Sequence, residues 1–327
     1  MPRLLPLILL CAAVLFLDSR VGKGDDMASP ASTRSMRFRA ASGDEARRWQ
    51  QACRKELFAL MMGGREPERT PLDPKVLQRV QTEGAGYALE ELSLQALPDR
   101  RVHVWLAVPK GLKRKAPAVL ALHGHGGSGE QVVYGQKLYH YGCAFAEKGC
   151  VVIAPDIGSH DLQHKDWTLM GERTWDAIRC VDYLLTRPEV DDRRIAVAGL
   201  SLGGETTMYV AALDERLQPV CSSGWLTTVE NMKHGHCPCW NSPGLEEHLD
   251  FADIFACIAP RPLVCEIGEQ ERAPGGFPVE IARKAFEEIR SAYRVFGAED
   301  RLHLHIHPGG HIFVGDLFWA MLANREH

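Results

Sequence analysis

The chain has 327 residues, 45% of them apolar, which is ample for the core of one large α/β domain and rules out a wholly disordered chain. Its formal net charge is -4, from 38 Lys and Arg against 42 Asp and Glu. No basic surplus is available to neutralise phosphates, so nucleic-acid binding is excluded and a small or neutral ligand is expected.

At the N-terminus, Met1-Pro2-Arg3 leads into an apolar run from Leu4 to Leu17 and then Asp18-Ser19-Arg20, the layout of a secretory signal. The run is too short to span a bilayer. Residues 1–24 therefore read as a signal peptide, with Gly22-Lys23-Gly24 the nearest small pair for cleavage, and the protein as secreted or periplasmic with no stable membrane span. Cys11 lies inside the apolar run behind Leu10 and reads as part of the signal.

Residues 25–86 read as a leader and N-terminal helical extension. From Asp25 to about Glu45 the chain is rich in Ser, Ala, Arg and Asp, without apolar periodicity, and reads as flexible. Trp49, Cys53, Leu57, Leu60 and Met61 then recur at helical spacing, predicting an amphipathic helix over 45–62 that Pro67, Pro71 and Pro74 bring to an end.

Residues 87–327 form the main domain. Alternation in Tyr87–Leu94 and Val102–Val108 predicts an antiparallel hairpin turning at Pro98-Asp99. Short apolar runs follow at Ala118–Leu122, Cys150–Ala154, Ile195–Ala198, Pro219–Cys221, Leu263–Ile267 and Leu302–Ile306, separated by helical stretches such as those around Ile178 and Ile289. Apolar strands alternating with helices predict a mostly parallel central sheet with helices on both faces, an α/β fold. Cys150, Cys180, Cys221 and Cys265 fall in these elements and read as small buried apolar residues.

Within this frame, Ile195-Ala196-Val197-Ala198-Gly199-Leu200-Ser201-Leu202-Gly203-Gly204 runs a strand into G-x-S-x-G and then into a helix. A serine hydroxyl needs a histidine base and an orienting acid to act as a nucleophile, in the chain order Ser, acid, His. His311 follows the glycine turn Pro308-Gly309-Gly310 after the last strand and is the expected base, whereas His303, His305 and His307 share one face of that strand. Glu269 and Glu271 compete for the acid after Gly268, and the position three past the glycine favours Glu271. The amides of Leu202 and of His125, or its neighbour Gly126 in the loop His123-Gly124-His125-Gly126-Gly127, are the expected oxyanion donors. A phosphate loop is the alternative for that stretch, but its lysine and Ser/Thr are missing.

The stretch from Trp225 to Phe251 is the longest connection without a core strand and reads as a substrate-covering loop, with Trp225 and Trp240 as candidates to stack on a sugar. Cys237-Pro238-Cys239 lies near His234 and His236, but no second ligand pair stands at a zinc spacing, so no metal is expected.

From about Tyr87 to the end the chain resembles the α/β-hydrolase superfamily, and within it the dienelactone-hydrolase and acetyl-xylan-esterase-like branch. Besides the serine turn, the resemblance rests on His123-Gly124-His125-Gly126-Gly127, Ala154-Pro155-Asp156, Arg187-Pro188-Glu189-Val190-Asp191, Ala212-Leu213-Asp214-Glu215-Arg216, Ala259-Pro260-Arg261-Pro262 and Pro308-Gly309-Gly310-His311. It implies an α/β-hydrolase fold and hydrolysis of a small-molecule or saccharide ester with neither metal nor organic cofactor. Two departures stand out: the nucleophile is serine where dienelactone hydrolases use cysteine, and Arg272-Ala273-Pro274-Gly275-Gly276 sits like an insertion beside a glutamate. The rival readings are a serine peptidase with the same triad, disfavoured because too few residues precede the sheet to build a gating domain, and a catalytically silent binding scaffold, disfavoured by the complete triad.

Overall fold

A computed structural model describes residues 34–134 and 138–324; the expected signal peptide and Cys11 lie outside them. A nine-stranded sheet has strands β1 (Lys75–Val80), β2 (Tyr87–Leu97), β3 (Arg100–Pro109), β4 (Ala116–Leu122), β5 (Val151–Pro155), β6 (Val190–Leu200), β7 (Leu217–Ser223), β8 (Leu263–Gly268) and β9 (Leu302–His307). Their spatial order is β1-β2-β3-β5-β4-β6-β7-β8-β9. The strands β1 to β3 pair antiparallel, and β3 pairs antiparallel with β5. From β5 to β9 every pairing is parallel.

The period-two geometry of the strands sorts their side chains into two cores. Leu120, Leu122, Ile153 and Val197 join one apolar cluster, with Trp175, Met208 and Ile289 of the helices Leu169–Thr186, Leu202–Leu213 and Val279–Val295. Val119, Ala121, Val152 and Ala198 join the other, with Val132, Phe145 and Phe318 of the helices Gly129–Val133, Tyr141–Glu147 and Asp316–Ala323. Both faces are therefore covered, which is why these strands read as unbroken apolar runs. Cys150, Cys180, Cys221 and Cys265 are fully buried, and the nine described cysteines are all free thiols.

Two expectations at the N-terminal side require correction. The sheet begins before residue 87: β1 pairs with β2 as an edge strand. It is exposed along almost its whole length, so no burial pattern marked its sequence Lys-Val-Leu-Gln-Arg-Val. The leader, read as flexible to about Glu45, is docked from Arg34 onward. Arg34 reaches Asp253 at 2.9 Å and Glu288 at 2.7 Å, and the buried Phe38 packs edge-on against Trp49 at 4.9 Å. Its anchors are ion pairs to distant residues, and a polar local composition conceals such partners.

The expected extension helix runs Gly43–Met61. Ser42 caps it by accepting from the Glu45 amide at 3.3 Å, while the Glu45 carboxylate accepts from the Ala41 amide at 2.9 Å. Cys53, Leu57 and Met61 are fully buried on its inner face. Gln50 donates to the Ala259 carbonyl at 2.7 Å and Arg54 to that of Ala212 at 2.8 Å, which fixes the helix to the main domain.

Candidate active site

Every loop that carries a candidate residue leaves the C-terminal edge of a parallel strand, where open α/β sheets collect their functional groups. Ser201 follows β6 directly, with φ 62° and ψ -120°, a positive φ that costs a side-chain-bearing residue energy. The turn survives because the following helix is pressed against the neighbouring strand. A Cβ at Gly203 would lie 1.9 Å from the Leu122 carbonyl oxygen, and the Ser201 amide donates to Ser223 at 2.9 Å. Only glycine allows that approach, which accounts for the second glycine of the motif.

His311 and Glu271 are brought together from the loops after β9 and β8. The Nδ1 of His311 lies 2.6 Å from Oε1 of Glu271, a carboxylate only 7% exposed. The two loops are joined by backbone bonds from Glu269 to His307 at 2.8 Å and from Gln270 to Gly309 at 3.2 Å. Glu269 itself is exposed. The insertion-like segment after Glu271 doubles back so that the Phe277 amide donates to Oε2 at 3.3 Å, and the Phe277 ring stacks on His311 at 5.6 Å with a 14° interplanar angle. The imidazole is closed in on a further side by Gly224, φ 58°, where a Cβ would lie 2.8 Å from Cε1 of His311.

Sequence reasoning missed Phe277, Gly224 and Glu266. Glu266 is fully buried in β8 and accepts from the amides of Gly315 at 2.8 Å and Val314 at 3.2 Å, so it holds the chain just beyond His311. A single glutamate inside an otherwise apolar strand was the available signal.

On the opposite side lies the loop after β4. His123 is buried; its Nε2 accepts from the Ile157 amide at 2.9 Å, which leaves Nδ1 to donate to the Gly124 carbonyl at 2.8 Å. Burial also pushes its pKa down, consistent with a neutral ring that pins the glycine loop. Tyr139 donates to the His125 carbonyl at 3.2 Å, and Tyr141 to that of Leu122. Leu202 occupies the first turn of its helix, where amides lack an intrahelical acceptor.

A cavity of about 380 Å³ connects these parts, lined by Ser201, Leu202, His125, Glu271 and His311 together with the connection after β7. Trp225 and Trp240 form part of its wall, at 3% and 7% exposure. Trp225 packs against Phe251 and Phe277 at 5.4 Å each, and Trp240 against Phe251 at 6.5 Å. The open stacking platform expected for a sugar is therefore not what these rings present; they are built into the wall.

Glu205, which also lines the cavity, is 1% exposed, and burial pushes its carboxyl up to about 8, with Arg173 pulling in the other direction. Of the histidines near Cys237 and Cys239, His234 turns to Glu230 at 3.2 Å and His236 packs on Phe277 at 5.1 Å. His125 and His160 approach the two cysteines instead, from loops that sequence spacing could not connect to them.

The sheet topology and the strained serine turn define an α/β-hydrolase fold. The model described as Abhydrolase family matches residues 151–310. The chain is 28% identical over 285 residues to YtaP of Bacillus subtilis (strain 168), which carries the name of a hydrolase, covering 79% of this chain and 92% of that one. BF1801 from Bacteroides fragilis NCTC 9343, which carries the name of an acetyl xylan esterase, superposes with a TM-score of 0.67 at 20% identity, covering 84% of this chain and 78% of that one. A glucuronoyl esterase from Solibacter usitatus gives a TM-score of 0.67 at 16% identity, covering 91% and 98%. The chain thus has the α/β-hydrolase fold and resembles the acetyl-xylan-esterase-like branch of that superfamily.

Proposed function

We propose that the protein is a serine carboxylic-ester hydrolase working through an acyl-enzyme, with saccharide esters as its substrate class. The observation that carries the reading is Ser201 on a strained strand-to-helix turn in one cavity with His311, whose Nδ1 meets the buried Glu271 at 2.6 Å. Glu271 holds the proton on Nδ1, so Nε2 offers its lone pair to the serine hydroxyl. Ser201 attacks the ester carbonyl as His311 takes its proton. The Leu202 and His125 amides receive the oxyanion, and the protonated His311 then releases the alcohol. Water activated by the same ring frees the acid.

The saccharide class is supported by the names of the structural relatives, and export by the apolar run behind Arg3. No helix among the described residues is long and apolar enough to cross a membrane.

A fluorophosphonate probe followed by peptide mass spectrometry tests the chemistry. The expected result is one adduct per chain, on Ser201, slowed by orders of magnitude in His311→Ala. An adduct elsewhere, or equal labelling of Ser201→Ala, would contradict it. Hydrolysis of peptide amides at rates comparable with acetyl esters would favour the peptidase reading.

A further inference from the structure

We propose that His125, His160, Cys237 and Cys239 form a tetrahedral Zn²⁺ site that fastens the covering connection after β7 to the oxyanion loop. The four side chains come from three different loops, after β4, β5 and β7, and their ligand atoms all lie within 4.8 Å of one another. The Nε2 atoms of His125 and His160 are 3.1 Å apart, and Nε2 of His160 is 3.4 Å from Sγ of Cys237. A tetrahedral zinc ion with its usual Zn–N and Zn–S bonds separates two nitrogens by roughly 3.3 Å and a nitrogen from a sulfur by roughly 3.6 Å. These two separations are within a few tenths of an ångström of those values, and the remaining ligand atoms lie close enough for a small inward shift to bring them onto one ion.

The donor set points to the same ion. Two thiolates and two imidazoles suit zinc, and four protein ligands leave no position for a water, the arrangement of a structural rather than a catalytic centre. The surroundings support the ligands as well. Arg173, 3% exposed, donates to the Ser159 carbonyl at 2.8 Å, so a buried guanidinium braces the residue preceding His160.

The consequence lies in the cavity. His125, Cys237 and Cys239 all line it beside Ser201. An ion on the His125 ring would fix the backbone whose amide is assigned to the oxyanion, and an ion on both cysteines would hold the cavity wall closed over it. The site acts by positioning, and that effect on turnover rests on the ester-hydrolase reading; the metal binding itself does not.

The test uses the full chain purified under reducing conditions, stripped with chelator and titrated with Co²⁺. The expected result is one equivalent bound with sulfur-to-cobalt charge transfer and the intense visible bands of four-coordinate cobalt, displaced stoichiometrically by Zn²⁺. His160→Ala, on an exposed loop, should weaken binding at least tenfold with an unchanged circular dichroism spectrum, and Cys239→Ser should reduce the charge-transfer band to that of a single thiolate. Restoring Zn²⁺ to the stripped parent should raise kcat on an acetyl ester with little change in KM.

Binding of less than one equivalent, binding unaffected by both substitutions, or a Cys237–Cys239 disulfide in the freshly purified chain would overturn the proposal. Stoichiometric thiolate-bound cobalt in a protein whose ester hydrolysis does not depend on Ser201 would leave the metal site standing and remove the hydrolase reading. Ser201-dependent hydrolysis without cobalt binding would do the reverse.

Discussion

Glu271 and Glu269 lie two positions apart with opposite surroundings. The first is buried against His311 and held by the Phe277 amide; the second stands in solvent. Removing the negative charge from Glu271 by Glu271→Gln would leave the wrong group facing Nδ1, and the corresponding change in another triad costs about 10⁴ in kcat. The expected outcome here is a loss of roughly 10²–10⁴ in kcat for Glu271→Gln and less than twofold for Glu269→Gln, read from steady-state hydrolysis of an acetyl ester. Equal effects would mean that the acid has been misassigned. At this scale the sequence was informative where a backbone constraint leaves a residue signature, as at Gly203 and Ser201. It was silent on Phe277, Gly224 and His160, whose significance lies in contacts with residues far along the chain.

Among the elements, the antiparallel strands next to the parallel sheet carry a titrating contact near the loop after β4. His103 of β3 bonds Asp156 at 2.6 Å through Nδ1 and Glu91 at 2.7 Å through Nε2, while Asp156 also accepts from the Gly129 amide at 2.6 Å. The bond to Asp156, and after it that to Glu91, overcomes burial and pushes the His103 imidazole up to about 9. A folded-state pKa above the unfolded value of 6.5 means that this contribution to stability is complete below 6.5 and is lost as pH rises through about 9. His103→Gln should therefore lower the melting temperature more at pH 6 than at pH 10; an equal drop at both would show that the ring stays neutral when folded. The elements legible in the sequence were those with a clear period, the central strands and the amphipathic helices. The exposed strand β1 has no buried face to impose one.

Across the whole molecule, the N-terminal helix and the sheet share one core: Cys53, Leu57 and Met61 pack in the same cluster as Trp175 and Ile289. The chain from Arg34 onward forms one compact unit. Leu57→Ala should then cost about 2–5 kcal/mol in a single denaturant transition while leaving turnover near that of the parent. A separate early transition would instead show the helix to be an independent appendage. The packing of the connection after β7 over the cavity, and the position of His125 and His160 against it, belong to this scale, and local sequence patterns could not convey them.

The central claim is nucleophilic chemistry at Ser201, and hydrolysis of a chromogenic acetyl ester by the parent and by Ser201→Ala of equal melting temperature tests it most directly. Activity in the parent with a near-background rate in the variant is the predicted result. Equal rates in the two proteins would contradict the account.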